Sequence, residues 1–283
     1  MTFNVYLLYM LSHPELVSIK NDQNYLDPYG YAPVANIDHD IMSTLALGEP
    51  LIYGREGTCD INTIVAIHPT PDHEGEYGEI PKSEGEIGSI MDVGGYVGGF
   101  SRYVLEYDGS RPLVIFEPME SNVGMIQKNL EAYKDSIVQK FLFKFAVGYS
   151  RNVLIRGDIM SDVHKYMGGT LYDIQGKPFN EDGTDLPEAH SMVRSLDLKE
   201  VLLLNQVCTG FEDVFFMKID CEGGEYPLFE NASTEDIRKI KYIVGEFHLD
   251  NVEHGNPYNL ILKHGYEEYK KPNHSVYFFR RID

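Results

Sequence analysis

The sequence predicts a doubly wound α/β fold, a mostly parallel seven-stranded sheet with helices on both faces and a C-terminal antiparallel hairpin, preceded by an N-terminal extension. Three observations carry this expectation. From residue 87 onward, short apolar runs alternate with stretches of helical periodicity. A glycine-rich turn, "DVGGYVGG", follows the first run. Two segments rich in aromatic residues, "GYEEYKK" and "HSVYFFRR", close the chain on either side of a Pro-Asn pair.

The elements follow in order. "IGSIMDV" (87–93) and "PLVIFE" (112–117) have the length and apolar character of strands buried on both faces. Between them Val97, Phe100, Val104 and Tyr107 recur at helical spacing, and Val123, Ile126, Leu130 and Tyr133 repeat the pattern after the second strand. "FLFKFAVG" (141–148) reads as a third strand, and the polar stretch 156–194 as an insertion or lid. A helix around Leu198–Leu204 follows, then the strand "DVFFMKID" (213–220), a short helix near Glu225–Phe229, and the strand "KYIVGEFH" (241–248). Asn256, Pro257 and Gly265 supply the cap, first-turn proline and terminating glycine of a last helix before the hairpin.

Residues 1–85 have mixed turn chemistry, and the acidic, glycine-bearing segment "HPTPDHEGEYGEIPKSEGE" reads as a linker or surface loop. The expected organisation is therefore an accessory extension over 1–85 and one domain over 86–283. The opening "MTFNVYLLYMLS" is apolar, but it lacks a basic leader and a cleavage site and is too short to span a bilayer, so it is expected to be buried.

Composition narrows the function classes. The chain has 283 residues, 43% of them hydrophobic, enough for a substantial core. A formal charge of −20 repels phosphate backbones and anionic headgroups, which argues against nucleic-acid or membrane partners and favours a neutral or cationic ligand. Three cysteines without zinc or disulfide spacing point to a reducing, cytoplasmic setting, and a homo-oligomer is compatible with all of this.

The glycine turn selects among ligands by spacing. Tyr96 and Val97 break the G-x-G-x-x-G register of dinucleotide sites, and Phe100 stands where a phosphate-binding loop needs lysine. What remains is an acid followed by glycines, Asp92, Gly94, Gly95 and Gly98. At the end of the next strand, 25 positions on, Glu117 is placed to accept from both hydroxyls of a ribose.

These motifs, with "FEPMESN", Asn129, "FAVG", "SLDL", "MKIDCEGGEYPLFENA", "IVGEFH" and "ILKHGY" in that order, resemble the FkbM-type family of class I S-adenosylmethionine-dependent methyltransferases over roughly residues 87–283. The resemblance implies a Rossmann-like methyltransferase moving a methyl group to a hydroxyl oxygen, often on a sugar or secondary metabolite. It implies that Asp92, Gly94, Gly95 and Gly98 line the amino-acid and ribose portions of S-adenosylmethionine, that Glu117 holds the ribose, and that Ala146 and Val147 lie near the adenine. The chain departs from the family at Gly95-Tyr96, where Ala-Asn is usual.

Methyl transfer to a weakly acidic hydroxyl needs a general base or a metal. The strand ends supply Asp220 and Glu222 from one segment and Glu246 and His248 from the next, and alternation puts Glu246 and His248 on one face. The preferred reading makes His248 the general base, oriented or charge-stabilised by a carboxylate such as Asp220. The same acids and histidine suit Mg²⁺ or Mn²⁺, and sequence leaves both open. Glu225 reads as structural, at a helix N-terminus. Another small molecule or a protein as acceptor, or a non-catalytic binding module on this fold, are the alternatives.

Overall fold

The computed structural model describes residues 53–55, 60–68, 75–82, 85–157, 169–172, 190–247, 257–270 and 276–283. The opening apolar run, His248 and most of the 156–194 stretch lie outside the described residues.

A helix α1 (Asp60–Ile67) precedes the alternating region. Then come β1 (Ser89–Val93), α2 (Gly99–Tyr107), β2 (Leu113–Phe116), α3 (Glu120–Leu130) and β3 (Lys140–Phe143). After these stand the short strand β4 (Ala146–Val147), β5 (Asn152–Gly157), β6 (Gly169–Tyr172) and β7 (His190–Leu196). The chain continues with α4 (Leu198–Thr209), β8 (Val214–Ile219), α5 (Glu225–Glu230), α6 (Thr234–Ile237) and β9 (Ile240–Glu246). It ends with α7 (Pro257–Lys263), β10 (Tyr266–Lys270) and β11 (Val276–Arg281).

Seven strands form one sheet in the order β10-β11-β9-β8-β1-β2-β3. β1, β2, β3, β8 and β9 pair in parallel, while β11 runs antiparallel between β9 and β10. The doubly wound expectation and its closing hairpin are both met. Every residue of β1, β2 and β8 is buried, as parallel strands covered by helices on both faces require. Local chemistry sets the helix ends: Asp197 caps α4 in a capping box with Glu200, and Gly210, at φ +77, terminates it five residues beyond the expected end at Leu204.

Two differences from the sequence reading matter for function. "FLFKFAVG" is broken rather than continuous. Lys140–Phe143 stays beside β2, whereas Ala146 and Val147 cross to pair with Ser195 and Leu196 of β7 in a second sheet ordered β4-β7-β5-β6. The described ends of the expected insertion are thus strands that pair, and Ala146 and Val147 turn toward the open ends of the large sheet.

The second difference concerns the acidic segment before residue 85. Its described part, 75–82, is not a solvent-facing linker: Tyr77 and Ile80 are buried and share one apolar cluster with Ile67, Ile90, Phe100 and Phe216. Tyr77 and Ile80 stand three apart in an otherwise polar stretch, a signal too short to register as periodicity.

Candidate active site

The C-terminal ends of β1, β2, β8 and β9 open onto a cleft of about 370 Å³, a size that suits a small-molecule ligand. It lies at the switch point where the chain order reverses on either side of β1.

The glycine loop is clamped to β2, since the N–H groups of Gly94 and Gly95 both donate to the Phe116 carbonyl at 3.0 Å. Gly94, at φ +80, leaves no room for a side chain, because a Cβ would fall 1.8 Å from the Asp220 carbonyl oxygen. A Cβ on Gly95 would meet Ile115 at 2.7 Å. Gly94 and Gly95 both line the cleft, as the resemblance implied. They let the turn pack against the protein itself, and the backbone so positioned forms the cleft floor.

Asp92 and Gly98 are not among the residues that line the cleft. The Asp92 carboxylate is fully buried, accepts from Ser101 Oγ at 2.6 Å and lies 3.4 Å from Lys218 Nζ. The carboxylate stands beneath the glycine loop, between Ser101 and Lys218. Lys218 reaches across to donate to the Gly94 carbonyl at 2.6 Å. Burial opposes its charge, but the Asp92 and Asp220 carboxylates outweigh burial and hold the ammonium above its usual range. Gly98, at φ +87, serves as the N-cap of α2.

Glu117 lines the cleft at the tip of β2. One carboxylate oxygen accepts from the Met119 N–H at 2.9 Å and from Asn122 Nδ2 at 3.2 Å, and the other accepts from the Tyr96 N–H at 2.9 Å. Burial, only partly opposed by these donors and by Lys218, pushes the carboxyl up to about 7. Phe145, Ala146 and Val147 line the same cleft and give it an apolar slot.

Tyr96 takes a left-handed φ of 48, uncommon for a residue with a side chain. Its hydroxyl donates to Asp60 at the start of α1, and the same carboxylate receives Arg55 Nε at 2.8 Å. This departure from the family pattern ties the glycine loop to the N-terminal helix. Asn129 of α3 links the same loop to Tyr53, upstream of α1, donating to the carbonyls of Val97 and Tyr53 at 2.8 and 3.0 Å.

At the opposite end, Asp220, Glu222 and Glu246 line the cleft together, as the sequence expected. Glu225 is fully buried and accepts from the N–H groups of Cys221 and Gly223 at 2.7 and 2.8 Å, so its structural reading holds. Glu76 and Tyr77 are among the lining residues that escaped the sequence reading. The Tyr77 hydroxyl donates to Asp220 Oδ2 at 2.6 Å. Burial first, then the charges of Asp220 and Glu246, push the Glu76 carboxyl up to about 7. Among the described residues no three His, Cys, Asp or Glu come together to hold a metal ion, so they lend the Mg²⁺ or Mn²⁺ reading no support. Nor is any described helix long and apolar enough to cross a membrane.

Residues 92–268 match the family model described as the methyltransferase FkbM domain. No curated protein matches the chain. Solved structures of similar outline include precorrin-6y C5,15-methyltransferase from Geobacter metallireducens, 13% identical over 68% of this chain and 81% of that one, with a TM-score of 0.32. The N-terminal domain of human METTL16, in complex with SAH, is 10% identical over 71% of this chain and 64% of that one, at 0.33. The bifunctional kinase-methyltransferase WbdD is 7% identical over 68% of this chain but only 34% of its own length, at 0.34.

Proposed function

The chain belongs to the FkbM methyltransferase family, and from that premise we propose that it transfers the methyl group of S-adenosylmethionine to a hydroxyl oxygen, with a sugar as the acceptor. The observation that carries this reading is Glu117, a carboxylate fixed by three donors at the tip of the second strand, beside a tightly clamped glycine turn and an apolar slot.

The residues fit the donor. Glu117 would accept from the ribose hydroxyls. Phe145, Ala146 and Val147 would take the adenine, and the backbone of Gly94 and Gly95 would face the amino-acid portion. When bound, S-adenosylmethionine supplies an electrophilic methyl group on a positively charged sulfur. The protein's part is to hold an acceptor oxygen in line with that carbon at about 3 Å and to take its proton. The acids at the ends of β8 and β9 give this end of the cleft the negative potential that a cationic donor and a neutral acceptor tolerate and an anionic acceptor does not.

The test is calorimetry with S-adenosylmethionine and S-adenosylhomocysteine, followed by transfer of labelled methyl to a panel of mono- and oligosaccharides with and without chelator. Binding of both ligands and label in a sugar are expected. Absence of binding at millimolar ligand overturns the donor assignment, and label only in proteins or other small molecules overturns the sugar assignment.

A further inference from the structure

Tyr96 stands on the glycine loop and lines the cleft together with Asn62 and Thr63 of α1, a helix outside the family-matched segment 92–268. We propose that Tyr96 is a positioning residue, its hydroxyl latched to Asp60 of α1 so that its own N–H holds the Glu117 carboxylate toward the donor's ribose. The proposal rests on the reading of the cleft as an S-adenosylmethionine site.

The link runs through a single residue. The Tyr96 N–H donates to Glu117 Oε2 at 2.9 Å, and the hydroxyl at the far end of its side chain donates to Asp60 Oδ1. The backbone between them takes φ 48, a left-handed conformation that a side chain disfavours and that persists only where the surroundings hold it. An unlatched tyrosine relaxes toward ordinary φ, and its N–H turns away from Glu117.

The post to which Tyr96 is latched is itself fixed. Asp60 is fully buried, and its carboxylate accepts from Arg55 through Nε at 2.8 Å, Nη2 at 3.0 Å and the backbone N–H at 2.9 Å. Burial opposes the charge, but Arg55 and the Tyr96 hydroxyl outweigh it and keep the carboxyl below its usual range, so the phenol meets an ionised acceptor. Ile64 of α1 clusters with Val97 and Met125, with the Tyr96 ring packed against them, and Asn129 bridges the carbonyls of Tyr53 and Val97. These contacts set α1 against the loop independently of the latch.

Glu117 is the group that reports the latch. Donors face it from Met119 and Asn122 at the start of α3 and from Tyr96 on the loop, and among the described residues the charged group acting on it is Lys218 of β8. Each favours the ionised form, so a misdirected Tyr96 donor leaves the carboxyl protonated to a higher pH. The segment upstream of the family domain thus sets both the aim and the charge of the carboxylate that the ribose needs.

The experiment is calorimetry with S-adenosylhomocysteine on the full chain, as a cycle of wild type, Tyr96→Phe, Glu117→Gln and the double variant, repeated across pH. Tyr96→Phe removes only the hydroxyl. It should weaken binding about three- to tenfold at pH 8 and move the midpoint of the affinity's pH dependence up by about half a unit. In the E117Q background the same substitution should change affinity by less than about twofold, because the group it acts through is gone. An unmoved midpoint in Y96F, or an equal loss in both backgrounds, overturns the proposal. Should the double variant fail to fold, a backbone pair decides: Tyr96→Gly, at ease at positive φ, should bind more tightly than Tyr96→Ala, and Y96G no tighter than Y96A overturns the proposal. If wild type does not bind S-adenosylhomocysteine, the donor assignment itself has failed, a result distinct from all of these.

Discussion

Replacing Glu117 by glutamine separates two opposite consequences of one buried carboxyl. Raising that group from 4.5 to about 7 means that the folded protein binds a proton the unfolded chain has already released. Stability is then present in full below pH 4.5 and is lost as pH rises to 7, by about 3 kcal/mol in all. Glu117→Gln removes this pH dependence. Its new NH₂ faces either the Tyr96 N–H or the Met119 and Asn122 donors, so it also adds a pH-independent penalty of about 1–3 kcal/mol. The discriminating quantity is therefore the difference between the two proteins' urea-unfolding free energies as a function of pH. That difference should change by about 3 kcal/mol from pH 4.5 to 8 in favour of the variant. Ligand affinity should move the other way. Ribose hydroxyls need an ionised acceptor, so wild-type affinity for S-adenosylhomocysteine should fall as pH drops below 7, and E117Q should bind about 10- to 100-fold more weakly at pH 8. Parallel stability curves would refute the buried-charge argument, and undiminished binding by E117Q would refute the ribose assignment.

Other substitutions test the scaffold beneath the cleft. Lys218→Met should lower stability by about 3 kcal/mol, because it leaves the Asp92 carboxylate buried without its cation, and K218M/D92N should regain part of the loss in urea unfolding. Gly94→Ala should abolish both folding yield and S-adenosylhomocysteine binding, since its Cβ would sit 1.8 Å from the Asp220 oxygen. Gly210→Ala, at φ +77 with nothing within 4 Å, should lower stability by only about 1 kcal/mol and leave binding untouched. Tyr77→Phe removes one hydrogen bond to Asp220 and should lower the melting temperature by about 2 °C, with a larger loss if residues 75–82 detach as a unit.

Much of the cleft was legible because its parts are local. A strand buried on both faces writes itself as a continuous apolar run, and a left-handed turn favours glycine, so β1, β2, β8 and the 94–98 turn announce themselves within a few residues of their own sequence. Glu117 is readable for the same reason, as an acid at the end of such a run. The break at residues 144–145 was not, because both halves of "FLFKFAVG" are equally apolar and the choice of partner strand belongs to β7, some fifty residues away.

What the sequence by itself determined is the order of the strands of the large sheet and of most helices between them, the turn between β1 and α2, and the acids that stand at the strand ends. Only the tertiary structure decided what those acids do. Asp92 faces Lys218 rather than the cleft, and the Tyr77 hydroxyl meets an aspartate 143 positions away. Periodicity reports whether a residue is buried against its own element, whereas charge pairing and pKa depend on which distant segments the chain path brings within a few ångströms in a medium that water no longer screens.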